Sequence, residues 1–164
     1  MLKDQDLKEL IALRKELHQY PELSGEEEKT SERLVSFIKN RFKPDEIIEN
    51  IGGHGLAVVY KAPVKGPRLL LRSDLDALPI AEVNDFEYKS VMEGVGHKCG
   101  HDGHMASLAS VNYNLKEKPI QKGELVLMFQ PAEETGQGAS AVINDPKSDR
   151  IRAGYAFGYH NLPG

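Results

Sequence analysis

With 164 residues, 40% of them hydrophobic and 28% charged, the chain has the size and make-up of one globular domain with material for a core. Its net charge of -4 and pI near 5.9 lack the basic excess expected of a nucleic-acid binder, and their mildness argues against an acidic disordered tail. One cysteine excludes an internal disulfide, Met1 to Asp6 carries no apolar signal core, and no run approaches a membrane span, so a cytoplasmic chain without membrane partners is expected.

Asp6 to Tyr20 reads as a helix, because Leu7, Leu10, Ile11, Arg14, Leu17 and His18 fall at three- and four-residue steps; Pro21 ends it. After Ser24-Gly25 a second helix runs from about Glu26 to Phe42, with acids in its first turn and bases near its end, as the helix dipole favours. Leu34, Phe37, Ile38 and Phe42 supply its buried face. Glu46–Ile51 and Leu56–Lys61 read as paired strands around the turn Gly52-Gly53-His54-Gly55. Pro63 to Pro67 is expected as a loop. The strand Arg68 to Arg72 follows, and its unbroken apolar centre suggests burial on both faces of a parallel or mixed sheet. It leads into Asp74 and Asp76, two carboxylates at a strand end, where α/β folds collect functional groups.

Glu82 to Val95 has weak periodicity and reads as a loop crossing over a site. A helix starts at His101 or Asp102, with Asp102 as its expected cap, and runs to about Lys116; His104 lies one turn from His101. Gly123 to Phe129 is a further buried strand, ending in Gln130-Pro131-Ala132-Glu133-Glu134, and a short helix extends through Ile143. Tyr155 to His160 is the last expected strand, stopping at Asn161-Leu162-Pro163-Gly164. The fold class this implies is α/β, a layered helix–sheet–helix arrangement around a mostly parallel or mixed sheet.

Gly96 to Met105, G-H-K-C-G-H-D-G-H-M, packs three histidines, the only cysteine and an aspartate among three glycines. Imidazole and thiolate are ligands that divalent transition metals prefer, and glycines let near neighbours converge on one ion. A hydrolytic metal centre also needs a carboxylate ligand and a free base beside the attacking water. The adjacent Glu133 and Glu134 suit that division of labour if the turn splays them apart. A nucleophilic role for Cys99, with His97 or His101 as its base, is the alternative; it leaves the glutamate pair and His160 without work.

Taken together, R-S-D-L-D-A-L-P-I (72–80), G-H-K-C-G-H-D-G-H (96–104), F-Q-P-A-E-E (129–134) and H-N-L-P-G (160–164) resemble, in order, signature blocks of the M20 peptidase family in its amidohydrolase branch. R-K-E-L-H-Q-Y-P-E-L-S (14–24) is similar to that branch's first helix and turn. The resemblance implies an enzyme that cleaves small N-acyl amino acids, hippurate-like or N-acetylated, with two divalent ions (zinc or manganese, with cobalt or nickel as further candidates). It implies Cys99, His101, Glu134 and His160 as metal ligands, Cys99 bridging, Glu133 as general base and acid, and Asp76 as the carboxylate that orients a ligand. Asp74 stands where other branches place a histidine ligand, a duty passed to His101. Family members are much longer and homo-oligomeric, with an inserted lid or dimerisation domain, so residues 1–164 are expected to be the amino-terminal portion of a catalytic domain. A non-catalytic metal-binding or interaction module of the same descent is the other expectation.

Overall fold

In the computed structural model, which describes residues 2–161, helix α1 spans Asp4–Gln19 and helix α2 Glu28–Lys39. Strands β1 (Glu46–Ile51), β2 (Gly55–Lys61) and β3 (Val64–Asp74) follow. Helix α3 (His101–Glu117), strand β4 (Lys122–Gln130), helix α4 (Gly138–Asn144) and strand β5 (Tyr155–Gly158) complete the chain order. Leu162, Pro163 and Gly164, expected to close the last strand, lie outside the described residues. Among the described residues no helix is long and apolar enough to cross a membrane.

The five strands form one mixed sheet in the order β1-β2-β4-β3-β5. β1, β2 and β4 pair antiparallel, whereas β3 runs parallel to both β4 and β5. Side-chain alternation along the strands divides the core in two. Leu56, Val58, Leu125, Leu127 and Phe129 face the three long helices, packing with Leu13, Leu17, Leu34, Ile38, Met105 and Leu108. Ala57, Val59, Val126 and Met128 face the other way, under Val142 of α4 and Ile151. The arrangement is the α/β helix–sheet–helix layering expected from the pattern of elements. Each fully buried aliphatic side chain in it contributes about 1.5–3 kcal/mol of transfer free energy.

Several boundaries differ from expectation for identifiable reasons. In α1 the buried stripe is Leu10, Leu13, Leu17 and His18, and Leu7 and Ile11 are exposed. α2 starts at Glu28 rather than Glu26, because the preceding segment is committed elsewhere: Leu23 bridges Ala77, whose N–H donates to Glu22 O at 2.8 Å. Phe42 lies past the end of α2 yet stays buried, edge-on to Tyr113. β3 begins at Val64, inside the expected loop, pairing Val64 with Lys122 before a register shift that accommodates Pro67, which has no N–H to give. Leu69, Leu70 and Leu71 are half-buried rather than covered on both faces, since β5 beyond them is short and wholly exposed.

The parallel strands decide where polar groups gather. Asp74 pairs in register with Gln130, and Arg72 with Gly158, so β3, β4 and β5 all deliver their carboxyl ends to one side of the sheet. The amino terminus of α3 arrives there too.

Candidate metal centre

Each functional side chain enters the cleft where regular structure stops. α3 is entered through Gly100 at φ +81°, a left-handed conformation suited to glycine, which turns the chain sharply enough for Cys99 and His101 to face the same space. Gly100 rather than Asp102 is therefore the cap of α3. The Asp102 carboxylate instead forms an ion pair with Arg14 Nε at 2.7 Å and hydrogen-bonds His18 Nδ1 at 2.8 Å.

His101 is fully buried and is the hub of two convergent groups of ligating atoms. Cys99, His101 and Glu134 make one, and Asp74, His101, His104 and His160 the other. His101 Nδ1 donates to Asp76 O at 2.8 Å, leaving Nε2 to face the cleft. His160 Nδ1 likewise donates to Asn161 O at 2.7 Å, and its Nε2 stands 3.2 Å from that of His101. Two imidazole nitrogens bound to one tetrahedral cation at the usual zinc distances are about 3.3–3.4 Å apart. Glu134 Oε1 is 3.6 Å and Glu133 Oε2 3.7 Å from His101 Nε2, and Glu133 Oε2 is 3.9 Å from His160 Nε2. Among the described residues, the buried Glu134 Oε1 has no hydrogen-bond partner. An orphaned carboxylate oxygen, two convergent imidazoles and a thiol fit a divalent transition metal.

The electrostatics agree with the donor set. Burial disfavours a charge on His101, but the hydrogen bond to Asp76 and the charges of Asp74 and Asp76 outweigh it and raise its proton affinity. The pocket thus favours positive charge at Nε2. Burial also opposes ionisation of Asp76, yet His101, Ser24 Oγ–H and the Glu134 N–H together hold its carboxyl down to about 2. Ser24 Oγ donates to Asp76 Oδ2 at 2.6 Å and Glu134 N to the same oxygen at 2.9 Å, so Asp76 is an ionised strut between the α1–α2 connector, the glutamate turn and His101. Burial and the neighbouring Glu134, Glu133 and Asp74 carboxylates push the Cys99 thiol up to about 12. Without a cation beside it, Cys99 is a poor nucleophile.

The remaining members of the two motif-rich segments are engaged in support. Asp74 accepts from Arg72 Nη1 at 2.9 Å and from His104 Nδ1 at 2.7 Å. His104 Nε2 accepts the Asn161 N–H at 3.1 Å, and Tyr159 donates its hydroxyl to His104 O, so His104 has both nitrogens occupied and fixes the segment that carries His160. His97 is not brought to the cleft group. It is buried, neither ring nitrogen is hydrogen-bonded among the described residues, and burial lowers its pKa to about 4.

The glutamate turn is the most strained element of the centre. Ala132 adopts φ +48°, a left-handed conformation costing an L-residue about 1–2 kcal/mol. Gly138 closes the turn so tightly that a Cβ there would lie 1.6 Å from Pro131 O. The buried carboxylate of Glu27 accepts the Ala132 N–H at 2.7 Å. Glu27 and Ser24 were not identified from the sequence, where E-E-E reads simply as an acidic first turn of α2.

The model of the peptidase family M20/M25/M40 matches residues 70–164. N-acetyl-L-cysteine deacetylase of Bacillus subtilis is 43% identical over 157 residues, covering 95% of this chain and 37% of that protein. Hippurate hydrolase of Campylobacter jejuni is 40% identical over 162 residues, covering 94% and 40% respectively. The crystal structure of Bacillus subtilis YXEP, described as a dinuclear metal binding peptidase from the M20 family, superposes with a TM-score of 0.87 at 32% identity, covering 98% of this chain and 45% of that one. The chain thus spans about two fifths of the length of these curated relatives.

Proposed function

The chain belongs to peptidase family M20/M25/M40, and from that premise we propose that it carries a metal-binding portion of an amidohydrolase acting on small N-acyl amino acids. The observation that carries this reading is the meeting of His101 Nε2 and His160 Nε2, each with its Nδ1 already committed, among the Glu133 and Glu134 carboxylates. Cys99, His101, Glu134 and His160 would hold two divalent ions, zinc or manganese by donor chemistry, with cobalt and nickel also compatible. The ions would supply Lewis-acid polarisation of the scissile carbonyl and a more acidic water.

The protein's own groups do the rest. Glu133, side chain 29% exposed and facing both imidazoles, takes a proton from the attacking water and passes it to the departing amine nitrogen. Asp76 holds His101 by its backbone carbonyl at Nδ1 and holds the amide of Glu134, keeping both ligands aimed. The relatives named a deacetylase and a hippurate hydrolase support an acyl–amino-acid amide as the substrate class. A cytoplasmic, self-associating enzyme is the setting this reading assigns to a polypeptide of the relatives' length.

Residues 1–164 are, on this reading, the amino-terminal portion of the catalytic domain, and the lid and carboxyl-terminal portion belong to further sequence. The wholly exposed β5 and the share of the relatives' length covered support that division. Little turnover is expected of 1–164 alone. In a form of the relatives' length, Glu133→Gln should lower kcat for N-acyl amino-acid hydrolysis by at least about 100-fold with metal content unchanged. Loss of bound metal in that variant would show that Glu133 is a ligand and the assignment wrong.

A further inference from the structure

The geometry points to Glu27 as a positioning residue for the metal centre: its buried carboxylate sets the Glu133–Glu134 turn by taking the Ala132 amide. This rests on the reading of Glu134 as a metal ligand.

Glu27 stands at the junction between the α1–α2 connector and α2, far from Ala132 in the chain, and is fully buried. Oε1 accepts the Ala132 N–H at 2.7 Å, and Oε2 is buried without a hydrogen-bond partner among the described residues. A carboxylate enclosed with one hydrogen bond is a poor device for stability, since an apolar side chain of similar volume would serve the fold better. Its single bond goes to the residue whose backbone is left-handed, immediately before the two glutamates. Two residues on, Glu134 N donates to Asp76 Oδ2, itself held by Ser24 Oγ. Alternate amides of the turn, 132 and 134, are thus each gripped by a carboxylate. Both grips trace to the connector 24–27, one through Glu27 and the other through Ser24 and Asp76. With two alternate N–H groups fixed, rotation of the turn is suppressed and the Glu134 carboxylate is held 3.6 Å from His101 Nε2. Among the described residues Glu27 belongs to neither convergent group of ligating atoms, so it acts through Glu134.

That mode of action is separable from a general structural role by a double-mutant cycle on zinc affinity, using the 1–164 chain in competition with a chromogenic chelator. Glu27→Ala should weaken zinc binding by about 10–100-fold, whereas Glu27→Gln, whose amide oxygen still accepts the Ala132 N–H, should stay within about threefold of the unmutated chain. Glu134→Ala should weaken binding by a comparable or larger factor, and the double variant Glu27→Ala/Glu134→Ala should bind no more weakly than Glu134→Ala alone. Multiplying losses in the double variant would overturn the inference, as would an equal loss in Glu27→Gln and Glu27→Ala. Absence of zinc binding by the unmutated chain would instead overturn the metal reading itself. Should Glu27→Ala not fold, the cycle is run with Glu27→Asp, which keeps a buried carboxylate but draws it back one methylene from Ala132; the same non-multiplying outcome is expected.

Discussion

At the scale of single residues, the candidate centre spends Nδ1 of each cleft-facing imidazole on orientation and turns Nε2 towards the cleft. His101 and His160 give Nδ1–H to carbonyls and keep Nε2 for the cleft, whereas His104 spends both nitrogens and drops out as a ligand. Cys99 follows a different rule. Its thiol, pushed up to about 12 by burial and three carboxylates, is protonated at neutral pH unless a cation displaces the proton. Cys99→Ala should therefore lower zinc affinity by at least about 100-fold, and zinc should protect Cys99 of the unmutated chain from alkylation. Equal alkylation rates with and without saturating zinc, read by mass spectrometry, would remove Cys99 from the ligand set. The cysteine-nucleophile alternative makes the opposite demand, a reactive thiolate in the absence of metal.

At the scale of elements, the segment from Glu82 to Val95, read from sequence as a loop crossing the site, is held to α1 by a buried charge cluster. His18 is placed between two carboxylates, Nδ1 lying 2.8 Å from Asp102 Oδ2 and Nε2 2.7 Å from Glu82 Oε2, while Lys98 Nζ pairs with Glu82 Oε1 and Arg14 Nε with Asp102 Oδ2. Val91 N–H donates to Gln19 O, and Arg14 and Lys15 lie over the Tyr88 ring. Burial opposes the charge on Glu82, but Lys98, Asn84, the Ser90 N–H and His18 together hold its carboxyl down to about 2. Because this folded value lies below the unfolded one of about 4.3, the stabilisation is fully present above that pH. It is lost as pH falls towards 2. Hydrogen-exchange protection of the Val91 amide, corrected for intrinsic rates, should decline across that window, and Glu82→Gln should flatten the decline. Protection unchanged down to pH 2.5 would mean that Glu82 does not pin the loop.

These pairings also mark where legibility from sequence ends. The glycine-flanked His-Cys cluster and the glutamates past a buried strand can be read from sequence, because residue type coincides with a helix start at Cys99 and His101 and with a strand end at Glu133 and Glu134. His18 with Asp102, and Glu27 with Ala132, join segments about a hundred positions apart or nearly so, and no local pattern encodes such partners. Asp102 shows the same limit in reverse: a good capping residue by type, it was claimed by Arg14 and His18, and Gly100 made the turn.

At the scale of the whole molecule, sheet order explains what the candidate centre rests on. β2 and β4 lie inside the sheet with both faces covered, giving the ligand-bearing ends a rigid base. β5, by contrast, is an edge strand with Tyr155 and Phe157 exposed, and Tyr159 follows it exposed beside the site. Such an edge invites pairing with further chain. The layered fold was legible because continuous apolar runs mark covered strands; the half-open β3 was not, since its exposure follows from the shortness of its edge neighbour β5, which no pattern within β3 encodes. The central claim is that residues distant in sequence form one divalent-cation site, and a crystal structure of the 1–164 chain grown with zinc tests it most directly. The account predicts an anomalous-difference peak coordinated by Cys99 Sγ at about 2.3 Å or by the Nε2 atoms of His101 and His160 at about 2.0–2.1 Å, with Glu134 in the shell. No peak in that cleft, or zinc bound instead through His97 or His104, would contradict it.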